Sequence, residues 1–162
     1  MKVNVVESTA TPVPGSQADI VPATWHDFGA VQRIEHECFP QDAWPVWDIL
    51  AVLTLPAVVR LKAVIGDKVV GFIAGDIRQQ ENLAWIATIG VLPDYRRRGI
   101  GAALLTACEA QLPVAKIRLC VRVSNTGALA LYRQYGYHRV DLWPAYYKGG
   151  EDALVMEKQP YR

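Results

Sequence analysis

The sequence has few cysteines, almost no charge excess and no long apolar run. Its cysteines, Cys38, Cys108 and Cys120, are far apart and form no CxxC pair, which argues against a zinc site and a disulfide framework. The net charge of +1 gives no reason to expect a nucleic-acid-binding surface. No apolar run approaches the roughly 18 residues that span a bilayer, and no signal pattern opens the chain. We therefore expect a cytoplasmic protein without membrane or nucleic-acid partners.

The composition is that of one folded domain. The 162 residues are 51% hydrophobic and 20% charged, which suits a soluble globular protein with a substantial core. Residues 1–17 include the stretch STATPVPGSQ and lack sustained periodicity, so they predict a flexible tail. We expect the single domain to cover residues 18–162.

Hydrophobic periodicity predicts seven strands and four helices, in the order βααβββαβαββ. Three successive strand segments, VVRLKAVIG, KVVGFIAGDIR and LAWIATIGVL, are joined by short connections that allow only antiparallel neighbours. Gly66 and Asp67 have hairpin chemistry, and Thr24 is placed to cap the first helix. The predicted fold is α/β, with a mixed, largely antiparallel sheet flanked by helices.

The stretch DYRRRGIGAALL, residues 94–105, joins a predicted strand to a predicted helix. The unpaired backbone N–H groups at the start of a helix, with the positive end of its dipole, bind anions. Gly99 and Gly101 carry no side chain that would hold a diphosphate away from these amides. The preceding arginines offer charge-assisted hydrogen bonds. The stretch therefore indicates a phosphate site, unless it is only a tight turn with solvated arginines.

Three other interpretations of this stretch fit less well. A dinucleotide-binding fingerprint, G-x-G-x-x-G, needs a third glycine where the chain has Leu104. A P-loop needs a GK[ST] ending that is missing. Three arginines in one turn also make too small an electrostatic footprint for a nucleic-acid site.

Two segments, IGVLPDYRRRGIGAALL and VRVSNTGALALYRQYGY, closely resemble the acetyl-coenzyme A signature of the GCN5-related N-acetyltransferases. The resemblance runs from about Ile20 to Lys158. It implies that acetyl-coenzyme A is the cosubstrate, that no metal is needed, and that an amine attacks the thioester directly. The family's pyrophosphate turn, Q/R-x-x-G-x-G/A, matches Arg96, Arg97, Arg98, Gly99, Ile100 and Gly101.

The same resemblance assigns the rest of the cofactor site. In the family the strand before the turn bulges, and its backbone pairs with the pantetheine arm; the matching residues are Ile89, Gly90 and Val91. Asn125 matches a cofactor contact, although it also suits a plain helix cap. Tyr132 matches the general acid that protonates the leaving thiolate, although its spacing from Leu129 also suits a core aromatic.

The general base is where the pattern departs from the family. Relatives carry Glu or His at the position of Cys120, and those with His add a Tyr where this chain has Trp85. A nucleophilic role for Cys120 is disfavoured, since a mid-strand cysteine is usually a small core residue. The residues left open as water-mediated bases are Glu81, Asp76, Glu37, His36 and Tyr146.

The missing base favours an acceptor amine of low pKa. At pH 7 an α-amine costs about 1 kcal/mol to deprotonate, and a lysine about 4.6 kcal/mol. The resemblance to N-terminal peptide acetyltransferases assigns Tyr146 and Tyr147 to the substrate backbone. It also assigns Phe39, Pro40, Trp44 and Trp47 to a pocket for the first side chain.

We therefore expect acetylation of a protein or peptide N-terminus with an uncharged first residue. The alternatives are a small amine, such as a polyamine, amino acid or aminoglycoside, and a catalytically silent coenzyme A-binding module. A monomer and a homodimer are both compatible with the sequence.

Overall fold

The computed structural model describes residues 18–160, and its strands form one seven-stranded sheet in the order β1-β2-β3-β4-β5-β7-β6. The strands are β1 Asp19–Pro22, β2 Val58–Ile65, β3 Lys68–Arg78, β4 Leu83–Val91, β5 Lys116–Arg122, β6 His138–Trp143 and β7 Ala153–Lys158. The helices are α1 Phe28–Cys38, α2 Val46–Thr54, α3 Ile100–Glu109 and α4 Thr126–Gln134.

This architecture confirms the predicted fold class and element order. Only β4 and β5 pair in parallel, and every other neighbouring pair is antiparallel. The predicted hairpin joins β2 to β3, and Gly66 adopts the positive φ that a two-residue hairpin turn requires. Gly136, which closes α4, also has a positive φ.

Two apolar clusters hold the helices to opposite faces of the sheet. Ile34 of α1 and Ile49 of α2 are buried against Phe72 on one face. Leu104 of α3 and Leu129 of α4 are buried in the cluster on the other face. Because α1 and α2 cover only the β1–β4 half of their face, the β5–β7–β6 half stays open beside them, and the candidate site lies at this boundary.

Strand β4 changes both its side-chain orientation and its strand pairing halfway along its length. A bulge lies between Ile86 and Thr88, since their β3 partners Gly75 and Ala74 are adjacent. The parallel pairing with β5 ends at Ile86. The bulge reverses which side chains face α1, and the loss of pairing leaves the β5-facing edge of residues 87–91 without a strand partner in the described part of the chain.

Two smaller predictions need comment. Thr24 precedes a 3-10 turn, Trp25–Asp27, and its backbone N–H donates to Asp27 Oδ2 (2.8 Å), so it does not cap α1 directly. The predicted tail, residues 1–17, lies outside the described residues. Within the described residues, each helix is too short or too polar to cross a bilayer.

Candidate active site

The turn before α3 has the geometry of an anion site. Arg97 and Gly99 adopt positive φ values of 64° and 77°, and the first helical hydrogen bond runs from Ala103 N–H to the Gly99 carbonyl. The N–H groups of residues 100–102 therefore precede the helical ladder. A side chain on Gly99 would meet no protein atom within 4 Å, so the space above the turn is open to a ligand.

The arginines of this turn hold it in place as well as charging it. Arg96 Nε donates to the Val91 carbonyl (3.0 Å), Arg98 donates to the Asp94 carbonyl (3.2 Å), and the Arg98 guanidinium lies 5.2 Å from the Tyr95 ring centroid. All three arginines remain exposed. The side chain of Ile100, in contrast, is buried in the core, so only its backbone is available to a phosphate.

The free edge of β4 ends at this turn. Ile89, Gly90 and Val91 pair with β3 on one side, and their other edge faces the gap to β5. A Cβ at Gly90 would lie 3.0 Å from the Ile34 side chain of α1, so glycine lets α1 pack closely against β4 here. The Val91 carbonyl already accepts a hydrogen bond from Cys38 Sγ (3.3 Å).

Helix α4 brings two of the predicted residues to the same gap. The Asn125 side chain accepts a hydrogen bond from the Ala128 N–H (3.1 Å), so its capping role is confirmed. Tyr132 is buried and meets the edge of the Tyr137 ring at 5.8 Å. Burial raises the pKa of the Tyr132 phenol, so its hydroxyl keeps its proton at neutral pH. The structure supports the core interpretation of Tyr132 and also makes Tyr132 a wall of the cleft described next.

A cleft of about 1050 Å³ connects these residues to the open half of the sheet. Strands β3, β4 and β5 contribute to its walls, and so do two segments that we call the acceptor loops, residues 39–45 between α1 and α2 and residues 144–152 between β6 and β7. The sequence-predicted residues among its walls are Phe39, Pro40, Trp44, Ile89, Asn125, Tyr132, Tyr146 and Tyr147. Gly90, Val91 and the turn 96–101 are not among its walls and lie beyond its end.

The far end of the cleft is an aromatic row that the sequence did not reveal. The rings of Trp85 and Trp143 are 5.7 Å apart, those of Trp143 and Tyr146 5.4 Å, and those of Tyr146 and Tyr147 5.0 Å. Trp85 Nε1 is buried without a hydrogen-bond partner among the described residues. The row gives the acceptor end an apolar surface.

The prediction that Trp47 lines this pocket is wrong. Trp47 is 76% exposed and is not a cleft wall. Helix α2 buries Ile49, Val52 and Leu53 against the sheet, and at 100° per residue Trp47 falls on the opposite side of the helix.

A buried carboxylate that the sequence analysis overlooked lies in the cleft. Glu35 of α1 is 2% exposed; its Oε1 accepts from the Thr88 hydroxyl (2.7 Å) and its Oε2 from the Trp44 N–H (3.4 Å). Burial raises the pKa of the Glu35 carboxyl above its usual 4.5, which makes the carboxylate a stronger base. Glu35 follows Val31 by four residues, which places it on the apolar side of α1, and this spacing is the sequence signal that indicates its burial.

The other proposed bases separate into two groups. Asp76 and Tyr146 are cleft walls, whereas Glu81, Glu37 and His36 are not. His36 and Glu37 follow Glu35 on α1 and point away from the sheet, where Glu37 pairs with Arg33 (2.7 Å).

Cys120 lines the cleft from β5, where it pairs with Val155 of β7. Burial raises the pKa of the Cys120 thiol to about 11, so a fraction on the order of 10⁻⁴ is thiolate at pH 7. The protonated Cys120 thiol therefore acts neither as a nucleophile nor as a general base at neutral pH.

We therefore expect Cys120→Ala to keep kcat within about twofold of the wild type, since the change removes only a small, protonated side chain. Steady-state kinetics would check this, and intact-mass analysis of the quenched wild-type enzyme should show no acetyl-cysteine. A trapped acetyl group on Cys120 would contradict direct transfer.

The site fits acetyl-coenzyme A. The open turn of Gly99 and the N–H groups of residues 100–102 suit a pyrophosphate, and the free β4 edge suits the pantetheine amides. Among residues 18–160, no group of three or more His, Cys, Asp or Glu side chains is arranged to hold a metal ion.

Comparison with known proteins agrees with this chemistry. A model of the acetyltransferase (GNAT) family matches residues 24–137. An uncharacterised N-acetyltransferase of Methanocaldococcus jannaschii is 36% identical over 141 residues, which cover 82% of this chain and 86% of that protein. The N-alpha-acetyltransferase of Saccharolobus solfataricus is 29% identical over 150 residues, covering 84% and 89%.

A solved structure extends the likeness to the fold. The ribosomal-protein-S18-alanine N-acetyltransferase of Escherichia coli superposes with a TM-score of 0.80 at 27% identity, over 88% of this chain and 93% of that chain. The chain belongs to the acetyltransferase (GNAT) family. It is an N-acetyltransferase that takes the acetyl group from acetyl-coenzyme A.

Proposed function

We propose that the acceptor is the α-amine of a protein or peptide N-terminus. The observation that carries this proposal is the single cleft that runs from Tyr132 to the two acceptor loops. Such a cleft suits an extended chain whose first residue enters between the loops. The names of two similar proteins, an N-alpha-acetyltransferase and a ribosomal-protein-alanine N-acetyltransferase, support the same class of acceptor.

The residues of the cleft divide the chemistry between them. Bound acetyl-coenzyme A supplies the thioester carbon that the amine nitrogen attacks, forming a C–N bond as the C–S bond breaks. Backbone N–H groups of β4 beyond the bulge donate to the carbonyl oxygen as negative charge develops there. Tyr132 donates its phenolic proton to the departing sulfur. Glu35, through water, accepts the proton that the amine loses.

Glu35 is a better base than the two cleft carboxylates that pair with Arg122. Hydrogen bonds from Ser124 and the ion pair with Arg122 lower the pKa of Glu151 to about 2, which makes it a weak base. Asp42 is held by the same Arg122 guanidinium. Because Glu35 is buried beside neutral donors, its carboxylate keeps its basicity.

We expect Glu35→Gln to lower kcat/KM at pH 7 by about tenfold or more, since a general base contributes at least this much. The change should keep or raise Tm at pH 7, because the fold no longer buries a charge. A raised folded-state pKa favours folding below the unfolded value of 4.5 and loses this contribution as pH rises through the folded value. The gain in Tm should therefore disappear in acid.

Asp76→Asn is the matched control, since Asp76 is also a cleft carboxylate. Its kcat/KM should stay near that of the wild type. If Asp76→Asn carries the loss and Glu35→Gln does not, the assignment of Glu35 is wrong.

Parallel assays on two acceptor panels test the proposed function. One panel holds short peptides with free N-termini and varied first residues, and the other holds polyamines, amino acids and aminoglycosides. We expect kcat/KM to be highest for peptides with small or apolar first residues. Turnover confined to the small amines would contradict the proposal, and coenzyme binding without turnover would indicate a silent binding module.

We infer a single catalytic domain over residues 18–162 that acts in the cytoplasm, as a monomer or homodimer. Cell fractionation tests the localisation, and analytical sedimentation tests the oligomeric state.

A further inference from the structure

Arg122, at the end of β5, lies where the two acceptor loops meet. Its guanidinium forms ion pairs with Asp42 of the first loop and with Glu151 of the second, the latter at 2.7 Å. The guanidinium also lies 4.4 Å from the centroid of the Tyr147 ring and donates to the Lys148 carbonyl (3.4 Å). One side chain therefore contacts both loops.

The loops are also bonded to each other and to the strand end. The Lys148 N–H donates to Asp42 Oδ1 (3.1 Å), which joins residues 106 positions apart in the chain. The Ser124 N–H donates to Glu151 Oε1 (2.9 Å). We call Asp42, Arg122, Glu151 and these two hydrogen bonds the Arg122 clamp.

The charged groups of the Arg122 clamp are partly shielded from solvent. The side chains of Arg122, Asp42 and Glu151 are 22%, 23% and 25% exposed, so salt screens their charges less than those of surface pairs. The hydrogen bond with Asp42 raises the pKa of Arg122, and the pKa of Glu151 lies near 2. Arg122 and Glu151 therefore stay charged at neutral pH.

We propose that Arg122 is the positioning residue for peptide acceptors: through the clamp it fixes the separation of the two acceptor loops and the orientation of Tyr147. This inference rests on the proposed function, since it assigns the part of the same site that recognises a peptide. Arg122 acts through the loops, and the transfer chemistry stays with the residues nearer Tyr132.

The chemistry of arginine explains the choice of residue. A guanidinium is a planar fork that can serve two carboxylates along its edges while its face stacks on an aromatic ring. A lysine ammonium offers neither the fork nor the flat face. A peptide contacts both loops at once, whereas a small amine can reach the cleft without bridging them, so the clamp matters to the peptide alone.

Arg122→Gln tests this proposal against Arg118→Gln. Arg118 lies four residues earlier on the same face of β5 and forms an equivalent 2.7 Å ion pair, but its partner, Glu157, belongs to β7 and not to an acceptor loop. We expect Arg122→Gln to raise the KM for an N-terminal peptide by about tenfold. The kcat, the Kd for acetyl-coenzyme A and the KM for any small amine that is turned over should change less than about threefold.

Asp42→Asn gives a graded intermediate, because it removes one ion pair and keeps the oxygen that accepts from Lys148 N–H. Its peptide KM should lie between those of the wild type and Arg122→Gln. The proposal is overturned if the peptide KM of Arg122→Gln is unchanged, if Arg118→Gln raises it equally, or if the Kd for acetyl-coenzyme A rises in parallel.

Hydrogen exchange on the ligand-free enzyme separates this proposal from the function on which it rests. We expect Arg122→Gln to increase amide exchange in residues 40–44 and 146–151 together, and Arg118→Gln to leave both segments unchanged. Unchanged exchange in Arg122→Gln overturns the clamp even if peptides are substrates. Increased exchange in an enzyme that acetylates only small amines confirms the clamp as a structure and overturns its role in peptide recognition.

Discussion

Gly99→Glu should abolish the protection that acetyl-coenzyme A gives the folded enzyme, with Kd weakened about a hundredfold or more. The new carboxylate would occupy the open space above the turn, where the pyrophosphate is expected, and two like charges would compete for the N–H groups of residues 100–102. The φ of 77° at Gly99 adds strain for any side chain. A thermal-shift titration with acetyl-coenzyme A measures this loss.

Gly29→Glu is the matched control for this experiment. Gly29 lies in the first turn of α1, and a side chain there also meets no protein atom within 4 Å. Gly29→Glu should leave the rise in Tm that acetyl-coenzyme A produces unchanged. If acetyl-coenzyme A raises the Tm of Gly99→Glu as much as that of the wild type, the pyrophosphate does not bind at the turn before α3.

Tyr132→Phe should lower kcat on the order of a hundredfold, the lower end of what general acid catalysis contributes. The Kd for acetyl-coenzyme A should change little, because the ring that lines the cleft remains. Burial raises the pKa of the Tyr132 phenol, so its hydroxyl is protonated at neutral pH and can donate a hydrogen bond to the thiolate as its charge develops. Steady-state kinetics with a direct binding measurement would show this difference.

Tyr137→Phe is the neighbouring control, since its ring lies edge-on to Tyr132 and its hydroxyl donates to Glu109 Oε1 (2.8 Å). It removes a phenol with a structural role, so we expect a loss of about 1–2 kcal/mol in the free energy of unfolding and an unchanged kcat. If both variants keep full kcat, Tyr132 is a structural residue.

The parts of this enzyme that sequence predicted well are those that local chemistry determines. The hairpin at Gly66, the N-cap at Asn125 and the turn that ends at Gly99 each depend on a few adjacent residues. The element order follows from periodicities that the sheet does not override. The two signature segments then identified the cofactor end of the site.

The acceptor end was predicted less completely because it depends on contacts between distant segments. The aromatic row needs the register that brings Trp85 of β4 beside Trp143 of β6. Glu35 could not be recognised as buried from the sequence, because a glutamate is normally expected to face solvent. Its hydrogen-bond partner, Thr88, is 53 positions away in the chain. Trp47 was misplaced because it lies about half a helical turn from the buried face of α2, where a side chain meets solvent and not the cleft.

The position of the acetyl group on a single peptide shows whether the enzyme acts on an N-terminal α-amine. The peptide carries a free N-terminus and an internal lysine, is incubated with the enzyme and acetyl-coenzyme A, and is sequenced by tandem mass spectrometry. We expect acetylation of the α-amine alone, because the cleft accepts a chain end and Glu35 need remove only the weakly held proton of an α-ammonium group. Acetylation of the lysine side chain, or of neither amine while a small amine is turned over, would contradict it.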